Sequence, residues 1–454
     1  MKIALLQPPP LRIRQSHDVN AYPSLALGYL AGYLERAGFT DLLIVDGRME
    51  NIPLDEAVRD IVDFEPDLLG ITAKTHEIGQ AARAAQEVKA RLPRVTTVVG
   101  GCHVTAEPEA TLRHYPALDY GLAGEGELSL HEMCLALAQG LSLESIPGLV
   151  YRRDGQVLRN APRPFLEDLD SLPFPAWHLF RKRRKSYMIF GSRGCPYDCA
   201  FCMRVLGRKP RLRSPANILA EIDRLVQEFG IRAFDFEDET FGLRRDHALT
   251  ICQGLVERGF HERLVWTANL RANLVDEELL RALKGAGCAR VAIGVESGDP
   301  AILQAIGKGI TLPQVEEAFR LARKAGLETA ALFILGHPNE TRETALRTVR
   351  LATRLNPTSL SVGIMVPYPG TRVREMALRG EGGYRLLSDR WEDYDKYLGN
   401  ALALQGLSRR RLELLQAWAY VRFYLWNLRF RDLVAFLARH AREAFLLLRK
   451  IFMP

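Results

Sequence analysis

The sequence contains little cysteine for its length, with seven cysteines in 454 residues. Four are scattered and three fall within eight residues, which excludes a disulfide scaffold and favours a local metal or redox site. No apolar run reaches the ~18 uncharged residues that a transmembrane helix needs. The apolar run near the amino terminus, MKIALLQPPP, is also too short for a signal peptide. We therefore expect a cytoplasmic protein.

Acidic residues are scarce in one region only. Lys and Arg outnumber Asp and Glu by 61 to 54, which gives a net charge of +7. Residues 408–454 hold ten of these cations and three of the acids, whereas the charges of the preceding residues balance. The surplus therefore belongs to the C-terminal tail, and it indicates a local contact with anionic lipid or an acidic partner rather than general nucleic-acid binding. The hydrophobic fraction of 47% and the charged fraction of 25% exclude a disordered chain.

Strand-like and helix-like segments alternate at short spacing over the first third of the chain. This alternation is typical of an α/β fold with a doubly wound parallel sheet, whose ligands bind beyond the carboxyl ends of the strands. Six further βα-like units follow in roughly 190 residues. Because an eight-unit barrel uses ~250 residues, we expect a partial (β/α)6 TIM-like barrel and then C-terminal helices. The expected domains are residues 1–139, a connector at 140–186, the barrel at 187–380 and a helical region at 381–454.

Three closely spaced cysteines, Cys195, Cys199 and Cys202, follow the first strand of the second alternation. Gaps of three residues and then two let one loop direct several thiolates at the same metal. A structural zinc site uses four ligands, so a zinc site here would need a remote fourth ligand. Three cysteines can also hold a 4Fe–4S cluster and leave one iron open to a small molecule. Both alternatives, and cysteines without a metal role, are compatible with the spacing.

The motif, with the aromatic Phe201 before its last cysteine, resembles the signature of the radical S-adenosylmethionine (SAM) enzymes. Four later segments resemble successive strands of the same barrel: 234–241, 292–298, 334–341 and 366–372. The N-terminal third resembles the cobalamin-binding domain that precedes this barrel in one branch of the family, through 22–33, 98–108 and 122–128. The resemblance covers roughly residues 1–380. It implies a Rossmann-like cobalamin-binding domain, and it implies a 4Fe–4S cluster, SAM and cobalamin as cofactors.

By the resemblance, the three cysteines ligate the cluster and Phe201 lies beside it. Asp238 and Glu239 fall where the superfamily contacts the methionine amine of SAM. The usual Gly-Gly-Glu is here Glu237-Asp238-Glu239, which leaves open which carboxylate makes the contact. A surface acidic turn is the alternative for each of them.

Two further residues are expected at the mouth of the barrel. Glu296 ends an apolar strand and is expected to accept hydrogen bonds from the ribose of SAM, with an ion pair to a nearby Arg as the alternative. Arg271 follows another strand and is expected to neutralise the SAM carboxylate.

The cobalamin site is expected at the carboxyl ends of the N-terminal strands. Glycines there allow close approach of a backbone to a bulky ligand, and threonines can hydrogen-bond it. The expected cofactor-binding residues are Pro8, Pro9, Thr72, Thr75, Gly100, Gly101, His103, Gly124, Glu125 and Gly126. Many cobalamin domains carry Asp-x-His-x-x-Gly after the first strand, but the loop 7–14 contains no His. We expect cobalt to lack a His lower ligand, with His17 and His103 as outside candidates and the string around His76 as a chance match.

The tail from Ser408 is rich in aromatic residues and arginine. It either covers the open side of the barrel or lies on an anionic membrane surface. We expect most of its aromatics to be core, and residues 444–453 to make the peripheral membrane contact.

Taken together, these features predict a cobalamin-dependent radical SAM enzyme that transfers a methyl group to an unactivated carbon. The expected partners are a small-molecule or lipid substrate and an electron donor of the flavodoxin or ferredoxin type, with no nucleic acid. The location is cytoplasmic, with contact to the inner membrane surface. The alternatives are an oxidative or ring-forming radical SAM reaction on a lipid or tetrapyrrole, tRNA modification, and a non-catalytic cobalamin or redox sensor.

Overall fold

The computed structural model describes residues 1–10, 22–395 and 400–439. The chain divides into two compact units. Unit 1 comprises Met1–Pro196 and Met203–Glu239, and unit 2 comprises Tyr197–Cys202 and Thr240–Pro454. The cysteine motif therefore contributes its first cysteine to unit 1 and the other two to unit 2. The four domains expected from the sequence stay a prediction.

Unit 1 is built on a mainly parallel sheet whose central strands are buried. The strand order is β2-β1-β3-β4-β5-β6-β7. The first five strands pair in parallel, and the last two are antiparallel. The strands are β1 (Ile3–Gln7), β2 (Leu42–Asp46), β3 (Leu68–Thr72), β4 (Thr96–Gly100), β5 (Tyr120–Leu122), β6 (Leu149–Arg153) and β7 (Gln156–Arg159).

Helices connect the parallel strands, as their apolar spacing predicts. Ser24 begins the first helix by accepting a hydrogen bond from the Leu27 N–H, and Gly140 ends α7 in the left-handed conformation. The helices of unit 1 are α1 (Leu25–Arg36), α2 (Gly47–Glu50), α3 (Leu54–Phe64), α4 (Ile78–Arg91), α5 (Cys102–Ala106), α6 (Pro108–His114), α7 (Gly126–Gln139) and α8 (Pro215–Phe229).

The hairpin β6–β7 extends this sheet into the connector. Its turn residues Asp154 and Gly155 have φ of 50° and 76°, the conformation that a two-residue hairpin turn requires. Two further strand pairs belong to unit 1. The strands β8 (Ser186–Ile189) and β11 (Ala233–Phe236) pair in parallel, and β9 (Ser192–Arg193) and β10 (Arg211–Leu212) are antiparallel.

Unit 2 continues the strand–helix alternation. Its parallel strands have the order β15-β14-β13-β12, and β16 and β17 form an antiparallel pair. The strands are β12 (Val265–Leu270), β13 (Cys288–Glu296), β14 (Glu328–Leu335), β15 (Ser359–Ile364), β16 (Tyr384–Leu386) and β17 (Leu402–Leu404). The helices are α9 (Arg245–Glu257), α10 (Glu277–Gly285), α11 (Pro300–Ala305), α12 (Leu312–Lys324), α13 (Arg342–Leu355), α14 (Arg372–Arg379), α15 (Arg409–Trp426) and α16 (Phe430–Arg439).

The helix α15 packs against the edge strand β15. The Tyr420 hydroxyl accepts a hydrogen bond from the Val362 N–H at 3.0 Å, and Gln416 Nε2 donates to the Val362 carbonyl at 2.7 Å. Phe423 of the same helix is fully buried. Because an uncovered strand edge leaves backbone groups unpaired, this part of the tail completes the fold.

The aromatics of the tail separate into two groups. Tyr420, Phe423, Tyr424 and Phe436 are packed together, whereas Trp418, Trp426 and Phe430 are exposed. The expected membrane-contact segment 444–453 lies outside the described residues. No helix among the described residues is both long and apolar enough to cross a membrane.

Candidate functional site

The cysteine loop begins in unit 1 at a position that only glycine tolerates. Gly194 has φ +94°, and a Cβ built there would lie 2.5 Å from the Lys209 carbonyl oxygen. The Cys195 N–H then donates to the Gly207 carbonyl at 3.1 Å. These contacts direct the chain into the motif.

In unit 2 the motif residues are held through their backbone. The Ala200 N–H donates to the Ile306 carbonyl at 2.9 Å, and the Val373 N–H donates to the Ala200 carbonyl at 3.1 Å. Gly307 leaves space for this loop, since a Cβ there would lie 2.9 Å from the Asp198 carbonyl oxygen. Hydrogen bonds of the backbone therefore fix this part of the loop.

None of the three motif cysteines forms a disulfide, and Cys199 is buried while Cys195 and Cys202 are half-buried. Among the described residues, no group of three or more His, Cys, Asp or Glu side chains meets the geometry for a single metal ion. The thiolates of a 4Fe–4S cluster each bind a different iron, so they need not converge on one point. Three cysteines without disulfides, on a loop held by backbone hydrogen bonds, fit the donor set of such a cluster.

Arg271 follows β12, and its charged side chain contacts Cys199. It is 5% exposed, its guanidinium lies 3.6 Å from the centre of the Tyr197 ring, and its Nη1 lies 4.0 Å from Cys199 Sγ. Its Nε and Nη2 are buried and have no hydrogen-bond partner. Buried guanidinium groups normally pair with an anion, so this geometry fits the carboxylate of a bound ligand.

Glu296 lies at the end of β13, where the backbone is distorted. Its φ is +69°, and the pairing register of β13 with β14 shifts at this residue. Its Oε1 accepts from the Lys308 ammonium at 2.8 Å, so the buried partner is a lysine rather than the Arg considered from the sequence. His337 Nε2 lies 3.3 Å from the Glu296 carbonyl oxygen, and burial lowers the pKa of His337 to about 4.

Phe201 stands close to this group, with its ring centre 6.3 Å from that of His337. Sequence reasoning missed both Lys308 and His337. The signal for Lys308 was its position between two glycines, Gly307 and Gly309, which turn the chain back toward the strand.

The carboxylates Asp238 and Glu239 support the loop that leads to the cysteines. Asp238 is buried and accepts hydrogen bonds from the Gly191 N–H at 2.9 Å and from the Ser192 hydroxyl. Glu239 accepts from the Gly194 N–H at 2.9 Å. Burial raises the pKa of Asp238 to about 6 and also raises that of Glu239.

Unit 1 contains a cavity of about 650 Å³ at the carboxyl ends of its parallel strands. Five of the residues expected to bind cobalamin line it: Thr72, Gly100, Gly101, Gly124 and Gly126. Gly101 has φ +100°, and a Cβ there would lie 2.8 Å from the Ala73 carbonyl oxygen. The size lies in the usual range for ligand sites, and the small residues leave the wall open for a bulky ligand.

The remaining expected cobalamin residues, Pro8, Pro9, Thr75, His103 and Glu125, do not line this cavity. Thr75 and His103 are buried in the surrounding protein, and burial lowers the pKa of His103 to about 4. Pro9 packs against the helix α2, where a Cβ on Gly47 would lie 2.8 Å from its Cδ. His17 lies outside the described residues.

Glu125 belongs instead to a buried network of ion pairs, two members of which line the cavity. Arg193, which lines the cavity, pairs with Glu125 at 3.0 Å and with Glu127 at 2.6 Å. Arg211 donates to both oxygens of Glu125 at 2.9 Å. The two acids are some 66 to 86 positions away from these arginines, which is why sequence spacing missed the network.

Two known protein families match parts of this chain. Residues 189–352 match the radical SAM superfamily, and residues 17–133 match the B12 binding domain. The uncharacterized methyltransferase PH0819 of Pyrococcus horikoshii is 35% identical over 433 residues, which cover 94% of this chain and 93% of that protein. The anaerobic magnesium-protoporphyrin IX monomethyl ester cyclase of Rubrivivax gelatinosus is 31% identical over 363 residues, 77% of this chain and 65% of the cyclase.

The fold is shared with a solved structure of the methyltransferase TsrM from Kitasatospora setae. The TM-score is 0.73 at 20% identity, and the match covers 94% of this chain and 89% of TsrM. The fold class expected from the sequence, a Rossmann-like cobalamin-binding domain followed by a radical SAM barrel, is confirmed, and so is the resemblance from which it was drawn. The chain belongs to the cobalamin-dependent radical SAM enzymes, whose cofactors are a 4Fe–4S cluster, SAM and cobalamin.

Proposed function

We propose that this enzyme transfers a methyl group to an unactivated carbon of a small-molecule or lipid substrate. When bound, the cluster and SAM supply a 5′-deoxyadenosyl radical that removes hydrogen, and cobalamin supplies the methyl group. The observation that carries the proposal is that one chain contains both a loop with three closely spaced cysteines, none in a disulfide, and a glycine-lined cavity of about 650 Å³.

The roles at the cysteine loop follow from the contacts of each side chain. Cys195, Cys199 and Cys202 would hold the cluster, because none of them forms a disulfide and hydrogen bonds of the backbone fix their loop. Arg271 would donate its unpaired N–H groups to the SAM carboxylate. Lys308 occupies Oε1 of Glu296, so Oε2 is the oxygen that would accept a ribose hydroxyl.

Asp238 and Glu239 would act as positioning residues rather than as SAM ligands. Both oxygens of Asp238 accept hydrogen bonds from residues 191 and 192, and Glu239 accepts from the N–H just before the motif. Phe201 would pack beside the cluster, next to the buried His337.

At the cavity of unit 1, Thr72 and the four cavity-lining glycines would contact cobalamin. The threonine hydroxyl can hydrogen-bond the amides of the corrinoid, and the glycines remove the side chains that would block it. Pro8, Pro9, Thr75, His103 and Glu125 would act only by supporting this wall.

The test is a product analysis of the anaerobically reconstituted, cobalamin-loaded protein with SAM and a strong reductant. Methyl transfer requires that 5′-deoxyadenosine and S-adenosylhomocysteine both form, since one SAM is the radical source and another the methyl source. The variant Cys199→Ala is expected to lose the iron–sulfur absorbance and 5′-deoxyadenosine formation. Wild-type protein that releases neither product would refute the proposal.

The second candidate function is a radical reaction without methyl transfer, such as the ring formation named for the Rubrivivax relative. It is distinguished by its products. Such a reaction would release 5′-deoxyadenosine in proportion to substrate consumed, without S-adenosylhomocysteine.

We further propose that the reducing electron comes from a flavodoxin- or ferredoxin-type protein, because a cluster of this class needs an external reductant.

Peripheral membrane contact is also proposed, through the exposed faces of α15 and α16. Trp426, Phe430 and Val434 are 69%, 55% and 67% exposed, and Arg422 lies 4.9 Å from the centre of the Trp426 ring. Exposed aromatics beside arginines are typical of helices that lie on anionic lipid.

A further inference from the structure

The acidic triplet Glu237-Asp238-Glu239 faces two different places in unit 1. Asp238 and Glu239 bind the backbone of the loop that leads to the cysteines. Glu237 instead lines the cavity of about 650 Å³. Glu237 therefore faces the cavity, whereas Asp238 and Glu239 face the loop.

The carboxylate of Glu237 has no hydrogen bond or ion pair to another described residue. The Glu237 side chain is exposed and lines the cavity, and partial desolvation by the surrounding protein raises its pKa. The positive charges of Lys74 and Arg48, which also line the cavity, act in the opposite direction.

The other acids of the cavity wall are already occupied. Asp46 accepts hydrogen bonds from the Ser24 N–H at 2.8 Å and from the Met49 N–H at 3.0 Å. Glu127 pairs with Arg193 at 2.6 Å. Among the described residues of the wall, this leaves Glu237 as the acid whose oxygens are open to a ligand.

We propose that Glu237 anchors cobalamin by accepting a hydrogen bond from a peripheral amide N–H of the corrinoid. This inference rests on the proposed function, because it assigns cobalamin to the cavity. The periphery of a corrinoid carries primary amides, each with two N–H donors and one carbonyl acceptor. An ionised carboxylate only accepts and an ammonium only donates, so Glu237 and Lys74 complement the two halves of such an amide.

This assignment differs from what the position of the triplet in the family implies, namely contact with SAM. Glu237 lies in the wall of a cavity formed wholly by unit 1 residues. The neighbouring carboxylates in the triplet are committed to the loop backbone. Glu237 is thus a binding residue for one cofactor, and Glu239 is a positioning residue for the other.

The experiment compares Glu237→Ala and Glu237→Gln with Glu239→Gln in the full-length chain. Cobalamin affinity is measured by the quenching of tryptophan fluorescence on titration with hydroxocobalamin, and SAM affinity by equilibrium dialysis of the reconstituted protein. Iron per chain and thermal unfolding are measured in parallel.

Loss of a hydrogen bond to a charged group predicts roughly 10- to 100-fold weaker cobalamin binding by Glu237→Ala. Its SAM affinity and iron content are expected to equal those of the wild type. Glu237→Gln retains an acceptor oxygen, so its loss should be smaller. Glu239→Gln should show the opposite pattern, with less iron per chain and unchanged cobalamin affinity.

Cobalamin affinity within twofold of wild type in both Glu237 variants would overturn the assignment. So would weaker SAM binding with unchanged cobalamin binding, which would place Glu237 at the SAM site and leave the proposed function standing. A wild-type protein that binds no cobalamin would instead refute the proposed function itself. If Glu237→Ala unfolds at a lower temperature, Glu237→Gln decides the question.

Discussion

Replacing Arg271 by methionine should separate ligand binding from stability. The side chain is 5% exposed and stacks on the Tyr197 ring at 3.6 Å, and two of its nitrogens are buried without a partner. Methionine keeps most of the apolar contact with the ring and removes the charge. The variant therefore tests whether the charge serves the folded chain or a ligand.

Two opposing contributions set the effect on the stability of the ligand-free protein. A desolvated cation–π contact is worth about 2 kcal/mol. A buried charge with unfilled donors costs a comparable 1–3 kcal/mol. Because the two nearly cancel, we expect the free energy of unfolding of Arg271→Met to lie within about 1 kcal/mol of the wild-type value.

The effect on SAM binding is not balanced in this way. If the guanidinium pairs with the SAM carboxylate in a buried site, removing it leaves that carboxylate unpaired at a cost of about 3–5 kcal/mol. Tenfold in affinity corresponds to about 1.4 kcal/mol. The dissociation constant of SAM should therefore rise by at least about 100-fold.

The matched control is Arg374→Met, which removes another arginine stacked on a tyrosine in unit 2. Arg374 lies 5.4 Å from the centre of the Tyr394 ring and donates to its hydroxyl. This variant should lose stability in urea unfolding and keep wild-type SAM affinity in equilibrium dialysis. Unchanged SAM binding by Arg271→Met, or equal losses in both variants, would refute the assigned role.

Three further predictions concern other parts of the molecule. Gly101 and Gly124 both have a positive φ, of +100° and +96°, but only a Cβ on Gly101 would meet a backbone atom. Gly101→Ala should therefore lose more stability in calorimetry and more affinity in cobalamin titration than Gly124→Ala, by about 1–3 kcal/mol. Burial raises the pKa of Glu340 from 4.5 to about 7. The free energy of unfolding of the wild type should therefore fall by about 3 kcal/mol as the pH rises from 4.5 to 7. In urea unfolding, Glu340→Gln should show a smaller dependence on pH over this range. Trp426→Ser should weaken co-sedimentation with phosphatidylglycerol vesicles at low salt. The control Leu378→Ser should not, although Leu378 is 62% exposed and Trp426 69%. Equal binding by both variants would contradict the membrane contact.

The sequence predicted those features that depend on neighbouring residues. The alternation of strands and helices, the hairpin at Asp154-Gly155 and the glycines of the cavity wall all follow from short-range spacing and backbone preference. The motif placed three cysteines on one loop for the same reason. These features need no knowledge of which distant segments meet.

Contacts between distant segments were beyond such reasoning. The pairing of Glu296 with Lys308 depends on how one loop folds back on a strand, and that of Arg193 with Glu127 joins residues 66 positions apart. The division of the acidic triplet depends on where a cavity lies, which composition does not encode. Three consecutive acids predicted a functional segment, which stays a prediction, but they did not indicate that the carboxylates face different parts of unit 1.

The buried arginines are the reason that we propose a ligand beside Arg271 in particular. Removing a guanidinium from water is costly unless an anion lies beside it. Four other buried arginines have a carboxylate partner: Arg193 with Glu125 and Glu127, Arg211 with Glu125, Arg213 with Glu221, and Arg409 with Glu413. Among the residues that the structure describes, Arg271 forms no such pair and lies 4.0 Å from a motif thiol. Because the described part of the fold neutralises its other buried guanidinium groups internally, we expect Arg271 to be neutralised from outside, by an anionic ligand at the cysteine loop.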